Sequence, residues 1–142
     1  MKKVKLQSDV NFDFHLIGII SNAREYTVCW SINHTLKIDL KKEPDIELVS
    51  RNDEKQMVSI CVFENDFIRY SLVSNKVLVD SSQRFKPLLP TLAHFDYLLK
   101  VEVFEEVEDV KDVFMRLRDA EKIDSILKLD VRKIKEKESL IF

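Results

Sequence analysis

Met57-Val58-Ser59-Ile60-Cys61-Val62-Phe63-Glu64-Asn65-Asp66-Phe67-Ile68-Arg69-Tyr70-Ser71-Leu72-Val73 decides the fold class. Residues 57–63 are apolar on both faces except at Ser59, the pattern of a strand covered on both sides. Glu64-Asn65-Asp66 is a tight polar connection. The chain then returns with Ile68, Tyr70 and Leu72 alternating on one face. Two strand-period runs joined by so short a polar break predict an antiparallel hairpin, with residues 57–63 central in a sheet.

On the N-terminal side, Arg51 to Gln56 reads as a polar turn and Ile46–Val49 as a short strand after Pro44 and Asp45. On the C-terminal side, Ser74-Asn75-Lys76 turns the chain into Val77-Leu78-Val79. Together these make an antiparallel meander. Residues 81–90, with Pro87 and Pro90, predict an irregular crossing. Residues 96–104 form a further strand: Tyr97, Leu99, Val101 and Val103 face one way, while Lys100 and Glu102 face a partly exposed side. Nearer the start, Val4 and Leu6 suggest a short strand. Phe12, Phe14 and Leu16 alternate with charged residues and run into Ile17–Ile20, a strand buried at its end.

Two stretches have helical spacing. Ser21 offers an N-cap, and Tyr26, Cys29, Trp30 and Leu36 define a core stripe for a helix over about 22–37. After Glu105, the residues Val107, Val110, Phe114 and Leu117 form one stripe. Ala120, Ile123, Leu127, Val131 and Ile134 form a second, out of phase with the first. These predict C-terminal helices over about 106–135 with a kink or short interruption near Asp119, or a second one capped by Asp130. Acids at their start and bases from Lys128 to Lys137 complement a helix macrodipole. Leu140-Ile141-Phe142 is an apolar end expected to dock. The fold class is therefore α+β: one domain over 1–142, with a sheet of five or six antiparallel strands and the helices packed on it.

Composition narrows the chemistry. The 142 residues are 45% hydrophobic and 34% charged, with 25 acids against 23 bases, net charge −2. A chain of this length buries roughly two-thirds of its unfolded surface and needs no disulfide or metal staple. The balanced charge disfavours nucleic acid, whose backbone is bound by an excess of Lys and Arg. There is a single glycine, Gly18, where average usage gives about ten. This argues against the phosphate-binding loop, the dinucleotide fingerprint and the nucleophile elbow, each of which uses several. Met1 to Gln7 is basic but leads into no apolar segment of the signal-peptide kind, and no run is long enough to span a bilayer. The expected setting is the cytoplasm, with no membrane partner. Cys29 and Cys61 are expected to be unpaired core thiols.

His15, His34 and His94 lack metal-site spacing, although Asp13 and His15 share a strand face. A triad drawn from Ser59 or Ser71 with His94 and Asp96 has no support in the local sequence. No catalytic, cofactor or metal residue is assigned.

Leu89-Pro90-Thr91-Leu92-Ala93-His94-Phe95-Asp96-Tyr97 leads from the crossing into a strand. It resembles the signature of the bacterial IPExxxVDY family. Pro90, Asp96 and Tyr97 match, Leu89 and Phe95 are apolar replacements, and Thr91 stands where the family has Glu. Leu16-Ile17-Gly18-Ile19, Tyr26 with Cys29-Trp30, and Lys135 to Phe142 are also similar. The resemblance implies a bacterial cytoplasmic protein; the family has no assigned activity to carry over. In physical terms Pro90 restricts the crossing, Thr91 is placed to cap one helical turn, Asp96 to bond nearby backbone amides, and Tyr97 to anchor the strand. The leading expectation is a non-catalytic interaction module, working through self-association or a protein partner. The alternative is a small-ligand-binding protein or minor enzyme with a pocket at Tyr26, Trp30, Asp96 and Tyr97.

Overall fold

The hairpin forms around Asn65. In the computed structural model its side-chain oxygen accepts from the amides of Phe67 (2.8 Å) and Ile68 (3.0 Å), and its own amide donates to the Ile68 carbonyl. A short amide side chain that bonds the backbone two residues on is a local turn-former. The structure describes residues 13–49, 53–80, 83–105 and 109–142. The expected strand at Val4 and Leu6, the contribution of Phe12, Arg51 and Asn52 of the expected turn, Ser81, and Glu106 to Glu108 lie outside them.

Ten main elements follow in chain order: β1 (His15–Ile20), α1 (Glu25–Leu36), β2 (Lys41–Val49), β3 (Lys55–Glu64), β4 (Ile68–Ser74), β5 (Lys76–Val79), β6 (Arg84–Pro87), β7 (Tyr97–Val103), α2 (Val110–Leu117) and β8 (Ser125–Leu129). The strands make one eight-stranded sheet in the order β6-β5-β3-β4-β7-β1-β8, with β2 on the other edge of β3. Every pairing is antiparallel. β3 is central as its pattern predicts, flanked by β2 on one side and by β4 then β5 on the other. Pro44 is accommodated in β2 because the register shifts between Glu43 and Ile46, and a proline is tolerated at such an irregularity.

β4 and β5 are one strand direction interrupted at Asn75. The three-residue step from Ile60 to Met57 on β3 is matched by a five-residue step from Val73 to Leu78. The outer neighbour changes at the same point: β4 pairs with β7, and β5 with β6.

Both faces of the sheet are covered. On one, Val28, Cys29, Ile32 and Leu36 of α1 and Val110, Val113 and Leu117 of α2 pack on Ile17, Ile19, Leu72, Leu99 and Val101. On the other, Phe14, Leu16, Val58, Ile60, Val73 and Leu98 lie beneath Leu88, Leu89 and Phe95 and beneath Val131, Ile134 and Leu140. Fully burying an aliphatic or aromatic side chain is worth roughly 1.5–3 kcal/mol, so two such layers hold the sheet without a covalent staple.

Four expectations are corrected. Among the described residues the sheet has eight strands rather than five or six, because β6 forms within the expected irregular crossing and β8 within the expected helix. The C-terminal helices over about 106–135 reduce to α2, which ends at Leu117. Lys122 then adopts a left-handed φ of 66°, and residues 125–129 pair with the open edge of β1. The free amides and carbonyls of β1 outbid local helical spacing, since a buried backbone group must find a partner. Lys128 thus lies on a strand, Arg132, Lys133 and Lys137 on two 3-10 turns, Val131–Lys133 and Lys137–Leu140, and Lys135 between these turns, not at a helix end. Third, α1 begins at Glu25 with Arg24 as N-cap, not at about 22 with Ser21 as N-cap. Fourth, Lys100 is only 3% exposed. Its ammonium donates to the Leu140 carbonyl (2.8 Å) and lies 4.6 and 4.4 Å from the ring centroids of Phe14 and Phe142. The apolar end therefore docks as expected, and it covers the face expected to be partly exposed.

The solitary glycine has a packing reason. A Cβ on Gly18 would lie 2.6 Å from Cδ1 of the buried Phe95 ring, where no carbon fits. Left-handed backbone is instead met at Lys37, Asp53, Gln83 and Lys122. Gly18→Ala is expected to destabilise the chain by about 1–3 kcal/mol in a urea melt, and by much less in a Phe95→Ala background. Equal losses in the two backgrounds would show that the ring contact is not the cause.

Candidate functional site

The segment 88–97 is held from three directions. Pro90–Leu92 forms a single 3-10 turn after an extended Leu89, as expected for a residue before proline. From the sheet, the Asn75 side chain donates to the carbonyls of Leu92 (3.0 Å) and Phe95 (2.8 Å) and accepts from the Leu89 amide (2.9 Å). Its main chain adds two bonds, from its own amide to the Asp96 carbonyl and from the Leu88 amide to its carbonyl. From β1, the Asp96 amide donates to the Ile19 carbonyl, and the Asp96 carboxylate accepts from the Ser21 amide at 2.9 Å. From the C-terminal segment, the Glu136 carboxylate accepts from the Thr91 amide (2.7 Å) and hydroxyl (2.5 Å). Burial works to raise the Glu136 carboxyl, but the two Thr91 bonds prevail and hold it below its ordinary value.

Tyr97 follows directly. Its ring is buried and its hydroxyl donates to the Ala23 carbonyl at 2.6 Å, in the lead-in to α1. Burial, and after it the negative charges of Glu25 and Asp96, push the phenol above its ordinary pKa. Ser21 completes the junction: its hydroxyl donates to the Lys122 carbonyl and accepts from the Ala23 amide.

A second polar cluster lies where the first turn of α1 meets β3. The Glu25 carboxylate accepts from the Ser59 hydroxyl (2.6 Å) and from the Cys61 thiol (3.4 Å). Cys29, one turn along α1 on the same face, belongs to the same packed cluster as Cys61. Both cysteines are buried and unpaired. The neighbouring Cys29, burial and the Glu25 carboxylate all push the Cys61 thiol up.

Two of the four residues of the expected pocket are engaged within the fold and two face water. Asp96 and Tyr97 are spent on Ser21 and Ala23, beneath α1 and its lead-in. Tyr26 and Trp30 are 71% and 52% exposed, which corrects the expectation that they belong to the core stripe of α1. That stripe is Val28, Cys29, Ile32 and Leu36. The Trp30 ring stacks on His34 (centroids 5.2 Å apart, planes within 5°) on the outward side of the helix. The open recess at the β5–β6 end, about 560 Å³, is lined by Glu54, Val79, Arg84, Phe85 and Lys86 and includes none of the four.

The other arrangements weighed from sequence find separate partners. Ser59 bonds Glu25, His94 lies against the Phe95 ring at 4.1 Å, and Asp96 bonds Ser21. Burial, with the charge of Lys128 second, lowers the pKa of His15. Among the described residues no group of three His, Cys, Asp or Glu side chains is arranged to hold a metal. No helix among them is long and apolar enough to cross a membrane, and no buried side-chain nitrogen or oxygen among them lacks a partner.

Thr91 and Asp96 have different partners from those expected. Thr91 binds Glu136 rather than capping its own turn, and Asp96 reaches an amide 75 residues away rather than local ones. Asn75, Glu136 and Glu25 were not singled out by sequence reasoning. Asn75 sits between two serine- and lysine-flanked strand ends, where an asparagine reads as an ordinary turn residue. Compared with models of protein families, with curated proteins and with solved structures, the chain finds no match in any of the three.

Asp96→Ala is expected to lower stability by about 1–2 kcal/mol, the range for losing a charge-assisted bond to a backbone amide. Asp96→Asn, which keeps an acceptor, should lose less. A thermal melt of Asp96→Ala at or above the wild-type midpoint would instead mark Asp96 as a residue held in place for binding.

Proposed function

We propose that this chain is a non-catalytic interaction module that associates with a second copy of itself through the outward face of α1. The observation that carries the reading is the exposed row Tyr26, Trp30 and His34, one helical turn apart, with Trp30 and His34 stacked. Tyrosine and tryptophan are enriched at protein interfaces and dominate their binding energy. A single helix row with an aromatic at its midpoint is also self-complementary about a two-fold axis. The non-catalytic part is supported by the polar atoms of Asp96, Tyr97, Thr91 and Asn75, each committed to a bond that holds the fold. Membership of the IPExxxVDY family and a bacterial cytoplasmic setting belong to the same proposal. Their support is that the shared residues Asp96 and Tyr97 join the signature segment to the end of β1 and the start of α1.

Sedimentation velocity over a wide concentration range tests this reading. The wild-type chain should gain mass with concentration, and Trp30 emission should shift to the blue as the ring leaves water. Trp30→Ala should stay monomeric with a melting midpoint close to wild type, because an exposed side chain contributes within about 0.5 kcal/mol to stability. A wild-type chain that is monomeric at every concentration, with unshifted Trp30 emission, would rule out self-association through this face.

A further inference from the structure

The edges of the sheet differ in character. β2 carries Pro44, a register shift and charges such as Lys42 and Glu47, and β6 ends on Pro87. Proline, irregular register and charge are the devices that keep an edge from pairing with another chain. β8 lacks the first two. Its register with β1 runs without a break from Ser125 to Leu129, and Leu127 at its midpoint is 53% exposed.

The free side of β8 also has usable backbone. The Ile19 carbonyl accepts from Asp96 on the β7 side, and the Ile20 carbonyl accepts from Asp124 on the β8 side. Alternation along the paired strands then turns Leu127 and Leu129 toward β1 and leaves the N–H and C=O of Ile126 and Lys128 pointing outward. No strand among the described residues covers them. Asp124 and Lys128 stand two positions to either side of Ile126, so the three project from one face. Both charged residues are exposed, and neither makes an ion pair or side-chain hydrogen bond among the described residues.

We propose that β8 pairs antiparallel with β8 of a second copy, about a two-fold axis at Ile126, and so joins one α1-linked dimer to another. That register sets Asp124 of each copy opposite Lys128 of the other, Ile126 opposite itself, and the two Leu127 side chains on a diagonal, all favourable cross-strand neighbours. The competing registers lose this match. An axis at Lys128 opposes lysine to lysine, and one at Ser125 opposes Lys122 to Lys128. An axis at Leu127 opposes Asp124 to Asp130, and one at Leu129 leaves most of each strand unpaired. The inference rests on the self-association proposed above. A pair of five-residue edges is marginal alone, whereas a dimer formed through α1 offers two edges whose pairings reinforce each other.

Sedimentation velocity of the full chain, with amide exchange followed by mass spectrometry, tests the edge. The wild type should pass beyond the dimer as concentration rises, and exchange at Ile126 and Lys128 should slow over the same range. Lys128→Asp, which opposes two pairs of acids, should stop at the dimer, with dimer-to-dimer association weakened roughly tenfold or more. Asp124→Lys combined with Lys128→Asp exchanges the charges and should restore the larger assembly. A wild type that stops at a dimer abolished by Trp30→Ala, or a double variant that associates no better than Lys128→Asp, would overturn the edge pairing and leave the helix contact standing. Assemblies that persist in Trp30→Ala and disappear in Lys128→Asp would overturn the helix contact alone. A wild type monomeric throughout would overturn both.

Discussion

The buried carboxamide of Asn75 sits where one long strand direction changes its outer partner from β7 to β6. A sheet cannot make that change with an unbroken ladder, because the amides and carbonyls of the departing neighbour would face nothing. Asn75 supplies the missing partners. Its two N–H donors and one oxygen satisfy Leu92, Phe95 and Leu89, and its main chain satisfies Leu88 and Asp96. With that segment fixed, Phe95 lies over Gly18, Leu88 and Leu89 close one face of the sheet, and β7 starts in register with Tyr97 opposite Ile19. A one-residue slip there would turn Leu99 and Val101 away from the helices.

This constraint gives the segment from Leu89 to Tyr97 a structural role. Pro90 and Leu89 set the crossing, while Asp96 and Tyr97 tie it to the end of β1 and the start of α1. Glu136 reaches Thr91 from the far end of the chain. Three distant stretches therefore meet over nine residues. The consequence for function is one of placement. The inward face of α1 is fixed by Tyr97, Glu25 and the two cysteines, and its outward face is left bare with Tyr26 and Trp30 in water.

Much of the sheet was legible because its strands carry their period in their own residues. The 57–73 hairpin, the buried end of β1 and the start of β7 all follow from alternation or continuous apolar runs. β8 was not legible. Ala120, Ile123, Leu127, Val131 and Ile134 do recur at helical spacing, and only the open edge of β1 makes residues 125–129 a strand. Lys100 misled for the same reason, since its burial depends on Leu140 and Phe142, which lie 40 residues away or more. The outward turn of Trp30 was missed because Tyr26, Cys29 and Trp30 fit a helical stripe as well as Val28, Cys29, Ile32 and Leu36 do. In the site, Asp96 and Tyr97 were legible as anchors but their partners were not, because a bond spanning 75 positions leaves no local pattern. Asn75 was hidden for the opposite reason: its local sequence fits a turn too well.

The central claim is that a buried amide, rather than apolar packing alone, sets the junction between the two halves of the sheet. Equilibrium urea unfolding of Asn75→Ala tests it most directly. Removing the carboxamide strands the Leu89 amide and the Phe95 carbonyl, each worth about 1–3 kcal/mol when left unsatisfied, and takes one of two donors from the Leu92 carbonyl, which keeps the Phe95 amide. The account predicts a loss of about 3 kcal/mol or more, with Asn75→Asp also impaired because it keeps the acceptor and loses both donors. A loss below about 1 kcal/mol for Asn75→Ala, with an unchanged denaturant slope, would contradict it and return the junction to its apolar neighbours.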